Sequence, residues 1–145
     1  MASTLQQTTR AQSAKAAARN DQALMNAFLR GKIEGRDFHH ADHVRVGFEL
    51  LCRHNFPDAL ATYSAALKGI ATRAGNSGAY HETITVAFLS LIAEHQAAGQ
   101  DADFESFIAD NPELMDQSIL KRWYSPERLL SDIARKTFVM PPGAR

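Results

Sequence analysis

The sequence predicts an all-α protein, a single-domain bundle of about five to seven helices. Apolar residues recur every three or four positions along most of the chain, and short segments rich in Gly, Asn and Pro separate these stretches. The chain has 145 residues, of which 45% are hydrophobic and 22% charged, as expected for one globular domain. A chain of this length buries roughly two-thirds of its surface on folding, so it needs no disulfide or structural metal to fold.

Both chain ends are predicted to lie outside the domain. The first 20 residues contain three basic residues and no acid, and they lack the apolar run of a secretory signal. An organelle transit peptide has a similar composition, but its amphipathic helix needs more large apolar residues than Leu5 alone. We predict a flexible N-terminal tail over residues 1–20, a helical domain over 21–140 and a C-terminal tail over 141–145.

Charge and hydropathy exclude several classes of partner. The 16 basic and 16 acidic residues cancel, and without the first 20 residues the chain is mildly acidic, which argues against a basic nucleic-acid-binding face. The longest apolar run, residues 86–93, is too short to cross a bilayer. We expect neither nucleic acid nor membrane as a partner, and a cytoplasmic location.

Three helices are predicted in the first half of the chain. Asp21 and Asp37 are the predicted N-caps of the first two, the first helix ending near Gly31 or Gly35, and the third spans residues 58–73. Their apolar positions are 24, 25, 28 and 29, then 44, 48, 51 and 52, then 60, 63, 67 and 70. Cys52 belongs to the second stripe, so we predict a buried thiol.

The second half begins with the most apolar helix, predicted over residues 79–98 with Ser77 or Gly78 as its cap and a central place in the bundle. A shorter helix around residues 104–108 and another over about 115–123 follow. Ser125-Pro126-Glu127 then supplies a cap, a proline at the first helical position and an acid in the first turn of a last helix. The apolar residues of that helix are Leu129, Leu130 and Ile133.

Histidines are the strongest candidates for chemistry. Four of the six lie in residues 37–43 and 80–83, at two predicted helix starts, where the helix dipole favours the neutral imidazole that binds metals. We predict His40, His43 and His81 as ligands of a divalent metal. Three histidines and water suit Zn²⁺, whereas two histidines and a carboxylate such as Glu82 suit Fe(II). The alternative is that these histidines are exposed or hydrogen-bond a neighbouring helix.

Other polar residues extend this candidate site. We predict Glu82 and Tyr124 as catalytic groups and Tyr80, Arg128 and Arg135 as ligand-binding groups. The two arginines are seven residues apart and share a helical face, from which their guanidinium groups would bind a carboxylate or phosphate. The alternatives are that the acid complements a helix N-terminus, that the tyrosines pack in the core, and that the arginines form surface salt bridges.

Three motifs give the chain a resemblance to known sequences. They are Phe38-x-His40-x-x-His43, then Tyr80-His-Glu-Thr-Ile-Thr85, then Tyr124-Ser-x-Glu-Arg-Leu129 followed by Ala134-Arg135. With them the chain resembles a family of small, uncharacterised bacterial all-helical proteins over roughly residues 37–140. The resemblance implies that these polar residues belong together and leaves the other three histidines outside the set. It implies no reaction.

Two functions remain open at this point. The first is a divalent-metal-dependent enzyme acting on a small molecule at the histidine site. The second is a metal-free small-molecule-binding or interaction module, in which Arg128 and Arg135 hold an organic anion. A homodimer built on the apolar fourth helix is a further expectation.

Overall fold

The structure, a computed structural model, describes residues 22–143 and is all-α there, with seven α-helices and no strand. The helices are α1 (22–29), α2 (His40–Arg53), α3 (Phe56–Arg73), α4 (Glu82–Ala98), α5 (Phe104–Asp110), α6 (Pro126–Leu129) and α7 (Asp132–Lys136). Short 3-10 turns lie at Gly35–Asp37, Ser77–Ala79, Pro112–Met115 and Ile119–Arg122. The predicted fold class is confirmed. The predicted N-terminal tail and the Asp21 cap lie outside the described residues.

The helices α2 and α4 form the centre of the bundle. Helix α4 packs against α2, α3 and α7, so its predicted central place is confirmed. Helix α2 contributes Val44 to one hydrophobic cluster and Val46 to another. A Cβ atom at Gly47 would lie 3.0 Å from Cδ1 of Ile92, so glycine permits the close approach of α2 and α4. Other helices of the same chain cover α4, and the homodimer built on it stays a prediction.

The predicted starts of α2 and α4 are wrong, because each N-cap lies further along the chain. The N-cap of α2 is His39 rather than Asp37, and the backbone N–H of His39 donates to the Asp42 carboxylate over 2.9 Å. The N-cap of α4 is His81 rather than residue 77 or 78. A histidine thus occupies the N-cap in both places, and the candidate histidines lie nearer the helix starts than predicted.

The segment between α5 and α6 forms two 3-10 turns instead of the predicted helix over about 115–123, and the last predicted helix is two short helices. The Asp116 carboxylate accepts from the N–H and the hydroxyl of Ser118, at 2.9 and 2.7 Å, and such local bonds compete with helical ones. Ser131 caps α7 and so divides the last predicted helix in two. As a result Leu130 and Ile133, in its apolar stripe, are 72% and 63% exposed.

Cys52 is exposed, so the predicted buried thiol is wrong. It lies in the last turn of α2, followed by three more exposed residues. Partial burial and the nearby Glu49 carboxylate raise the pKa of the thiol, which stays protonated at neutral pH and is a poor nucleophile. Within residues 22–143 none of the helices is both long and apolar enough to cross a membrane.

Candidate functional site

A cavity of about 520 Å³ lies between α2, α3 and the start of α4. Seven of the side chains that line it carry a ring: Phe38, His40, His43, Tyr63, Tyr80, His81 and Phe88. The structure therefore brings the three predicted histidines and Tyr80 to one cavity. None of the described residues that line it is an aspartate, glutamate, lysine or arginine.

His43 is the most distinctive group in this wall. Its ring lies against that of Phe38, with 4.4 Å between the ring centres, and the Tyr63 hydroxyl donates to its backbone carbonyl over 3.1 Å. Burial, helped by the neighbouring His40, lowers the pKa of His43 to about 4, and Asp42 only partly opposes this. No hydrogen bond joins either of its ring nitrogens to another described residue, so a neutral imidazole with free hydrogen-bonding capacity faces the cavity.

Tyr80 also belongs to the lining of the cavity. Its hydroxyl oxygen is buried and has no hydrogen-bond partner among the described residues. Burial is the main cause that raises the pKa of Tyr80 to about 12; the nearby Glu82 carboxylate also raises it, and the hydroxyls of Thr85 and Ser64 lower it. These neighbours affect the pKa without reaching hydrogen-bond geometry. The hydroxyl is therefore neutral and unpaired, and it is enclosed by protein rather than open to the cavity.

His40 lines the cavity and also bonds to the Pro112–Met115 turn. Its Nε2 lies 2.9 Å from the carbonyl oxygen of Leu114, and its ring meets the Phe88 ring edge-on at 5.0 Å. Since a carbonyl only accepts, Nε2 carries the proton and Nδ1 remains an acceptor. His40 thus connects α2 to the Pro112–Met115 turn.

His81 has no free ring nitrogen. Its Nδ1 accepts from the backbone N–H of Ile84 over 3.1 Å, and its Nε2 donates to the Leu129 carbonyl over 2.6 Å. A metal ion at His81 would have to displace the cap of α4 or the bond to α6. Over residues 22–143 no group of three or more His, Cys, Asp or Glu side chains is placed to hold a metal ion. The geometry does not favour the three-histidine site, which stays a prediction.

The other four predicted site residues do not line the cavity, and two of them, Tyr124 and Arg128, bind the backbone of residues 139 and 140. The Tyr124 hydroxyl donates to the Val139 carbonyl over 2.9 Å, and Nε and Nη2 of Arg128 donate to the Met140 carbonyl at 2.9 and 2.6 Å. The Thr83 hydroxyl donates to the Thr137 carbonyl over 2.7 Å and accepts from the Val139 N–H over 3.1 Å. We call Thr83, Tyr124 and Arg128 the C-terminal clamp.

Arg135 and Glu82 also lie away from the cavity lining. Arg135 donates to the Gly78 carbonyl over 2.8 Å and so connects α7 to the loop before α4. Glu82 is the first residue of α4, where a carboxylate complements the positive end of the helix dipole.

Sequence reasoning missed Thr83 and the cavity role of Tyr63. Thr83 is fully buried. A polar residue at a buried position of the most apolar helix needs a hydrogen-bond partner, and that requirement was the signal that could have identified it. Spacing in the sequence predicts Tyr63 as part of the apolar stripe of the third helix, and its hydroxyl bond to the His43 carbonyl spans 20 residues. No pattern in the local sequence reports that partner.

Comparison of the chain with protein-family models, with curated proteins and with solved structures gave no match. The resemblance to a bacterial helical family therefore stays a prediction. The function has to be argued from the geometry of the cavity.

Proposed function

We propose that the protein is a metal-free binding module that takes an uncharged small molecule into the cavity beside His43. The observation that carries this proposal is the His43 imidazole, a neutral ring with no hydrogen-bond partner among the described residues, in a wall that contains no charged side chain. A volume of about 520 Å³ lies within the range of ligand sites, roughly 300–1,000 Å³. Such sites combine apolar walls with a few polar groups that orient the ligand.

Electrostatics favour an uncharged ligand. The described lining contains no charged side chain, so an ion would lose hydration without an opposite charge to replace it. The organic anion of the sequence-based hypothesis would need Arg128 and Arg135, whose guanidinium groups bind backbone carbonyls elsewhere. The binding of an anion through these arginines is therefore not favoured.

Binding is also favoured over acid–base catalysis. A general base works best when its pKa lies near the working pH, and the pKa of His43 is lowered to about 4. Catalytic histidines are usually oriented by a hydrogen bond to one ring nitrogen, and no described residue supplies one here. The His43 ring is suited to donate to and accept from a ligand while remaining neutral.

A matched pair of variants tests the proposal with the uncharged fluorescent probe N-phenyl-1-naphthylamine. Ala71 lines the cavity, whereas Ala65 lies on the exposed side of the same helix. Ala71→Phe should fill the cavity and weaken probe binding by about tenfold or more, a free-energy change of about 1.4 kcal/mol. Ala65→Phe should leave the affinity unchanged, and circular dichroism should show both variants folded.

Two results would overturn the proposal. One is probe binding that is absent, or equal in the two folded variants. The other is a stoichiometric metal found in the purified protein by elemental analysis and lost in the His43→Leu variant, which would favour the metal-dependent hypothesis instead.

A further inference from the structure

We propose that the surface formed by residues 121–140, here called the docking surface, attaches the protein to an anionic lipid membrane. None of these residues lines the cavity beside His43, so the proposal goes beyond the proposed binding function and is independent of it. Three features carry it: a concentration of exposed apolar side chains, a local excess of basic residues, and a composition that suits lipid better than protein.

The large apolar side chains that are exposed are concentrated in the docking surface. Over residues 22–143 there are seven such side chains, and five of them lie between residues 123 and 140. They are Leu130 at 72%, Met140 at 67%, Ile133 at 63%, Trp123 at 44% and Phe138 at 38% exposure. Scattered apolar residues are normal on a protein surface, whereas a group of them indicates a site of interaction.

Hydrogen bonds bring the parts of the docking surface together. Arg128 of α6 donates to the Met140 carbonyl over 2.6 Å, so Met140 lies beside the helix that Leu130 directly follows. Ile133 lies on α7, the next helix along the chain. Trp123 directly precedes the clamp tyrosine, which binds the carbonyl next to Met140. The exposed apolar side chains therefore come from neighbouring segments.

The docking surface is basic, although the charges of the whole chain cancel. Residues 121–140 contain five basic and two acidic residues, whereas residues 94–120 contain seven acidic residues and no lysine or arginine. A surface with this excess of positive charge attracts an anionic partner. Two copies of the docking surface placed face to face would repel each other, which disfavours a second copy of the chain as the occupant.

Two lysines of the docking surface are available for such a partner. Lys121 and Lys136 are exposed, and neither ammonium group bonds to a described residue. Lys136 follows Ile133 by three residues on α7, so the two side chains share one helical face. A lysine in this position can extend its charge to lipid phosphates while its alkyl chain stays beside the apolar layer.

The composition favours lipid over protein as the anionic partner. Binding energy at protein interfaces comes mostly from Trp, Tyr and Arg, whereas leucine is under-represented among those residues and lysine is depleted from the interface. In the docking surface the most exposed apolar side chains are Leu, Met and Ile, the available cations are lysines, and two of the arginines bind backbone carbonyls. Apolar insertion combined with basic residues supplies the two signals that stable membrane attachment needs.

The proposal revises the expectation that a membrane is no partner. That expectation rested on the absence of an apolar run long enough to cross a bilayer. Attachment to the bilayer surface needs no such run, because only a few side chains enter the boundary between headgroups and acyl chains.

Flotation of the full chain with lipid vesicles tests the proposal. The vesicles contain either phosphatidylcholine alone or phosphatidylcholine mixed with anionic phosphatidylglycerol. We expect binding to the mixed vesicles to be tighter by about tenfold or more, and to weaken as salt is added. Trp123 is the single tryptophan of the chain, and its emission should shift to shorter wavelength on binding.

A matched pair of variants tests the apolar part of the contact. Leu130→Ser should weaken binding to the mixed vesicles by about tenfold. Leu29→Ser makes the same change at a 48% exposed position of α1 and should leave the affinity unchanged. The basic residues among positions 1–20 are present in both variants, so a contact made through them would not distinguish the two.

A second matched pair tests the charges. Lys121→Gln combined with Lys136→Gln should weaken binding to the mixed vesicles by about fivefold or more. Arg30→Gln combined with Lys32→Gln removes the same charge from exposed positions outside the docking surface and should have little effect. Circular dichroism should show every variant folded.

The proposal fails on any of three results. The first is no binding to the mixed vesicles, binding without a change in Trp123 emission, or equal weakening by Leu130→Ser and Leu29→Ser. The second is a dimer in light scattering that Leu130→Ser abolishes, since a second copy would then cover the surface. The third is binding of soluble polyglutamate as tightly as of vesicles, with the same dependence on Leu130, which would identify an acidic protein as the partner.

Discussion

The cavity wall and the C-terminal clamp are built from similar polar residues, yet they differ in whether their polar atoms are paired. In the clamp, Thr83, Tyr124 and Arg128 all donate to backbone carbonyls of residues 137–140. In the cavity, the ring nitrogens of His43 and the hydroxyl of Tyr80 have no partner among the described residues. Residue type therefore does not separate the two regions, whereas the pairing of their polar atoms does.

This difference has opposite consequences for stability. Removing one partner of a buried hydrogen bond leaves the other unsatisfied, at a cost of about 1–3 kcal/mol. Changes in the clamp should therefore lower the free energy of unfolding. A buried hydroxyl that has no partner contributes no hydrogen bond to the folded protein, so its removal should cost little.

The largest effect is expected for Thr83→Val, which keeps the shape of the side chain. The variant leaves the Thr137 carbonyl and the Val139 N–H without their partner, so we expect the free energy of unfolding to fall by about 3 kcal/mol. Thr72→Val in α3 removes only the exposed bond to the Lys68 carbonyl and should change it by less than about 0.5 kcal/mol. Urea unfolding measures both, and equal effects would contradict a structural role for the clamp.

The second effect is a pH dependence from the cavity. His43 has its pKa lowered to about 4 in the folded protein from an ordinary value of 6.5, so between these pH values the unfolded chain binds more protons. Stability should therefore fall as the pH drops from 6.5 to 4, by up to about 3 kcal/mol in total, at about 1.4 kcal/mol per pH unit or less.

His43→Asn should remove this slope, whereas His54→Asn, at an exposed position, should retain it. Urea unfolding at pH 4.5, 5.5 and 7 measures the three proteins. A slope that persists in His43→Asn would show that the buried neutral imidazole is not its source.

The smallest effect on the free energy of unfolding is expected when Tyr124 and Tyr80 are each replaced by phenylalanine. Tyr124→Phe loses the buried bond to the Val139 carbonyl and should lower the free energy of unfolding by about 1–2 kcal/mol. Tyr80→Phe loses no hydrogen bond and should leave the stability unchanged or slightly higher. Thermal unfolding of the two variants checks this, and an equal loss in both would mean that the Tyr80 hydroxyl is paired in solution.

Part of the candidate site was predictable because it depends on local pattern. The placement of His40, His43 and His81 at helix starts follows from turn and capping residues near them in sequence. The predicted cap of the last helix at Ser125 is confirmed by its bond from the Arg128 N–H over 3.2 Å. The helix starts themselves were misplaced because a histidine occupies each N-cap: the His81 side chain accepts from the Ile84 N–H, and the His39 backbone N–H donates to the Asp42 carboxylate.

The sequence by itself determined the helical class and the central place of the fourth helix, since apolar spacing reports which face of a helix is buried. Only the tertiary structure decided which polar atoms of the candidate site are paired. The bond from His81 to Leu129 spans 48 residues and the bond from Thr83 to Thr137 spans 54. Such partners depend on how helices pack in space, which the periodicity of the sequence does not encode. The polar atoms of the clamp have partners of this kind, and the His43 ring at the cavity has none among the described residues.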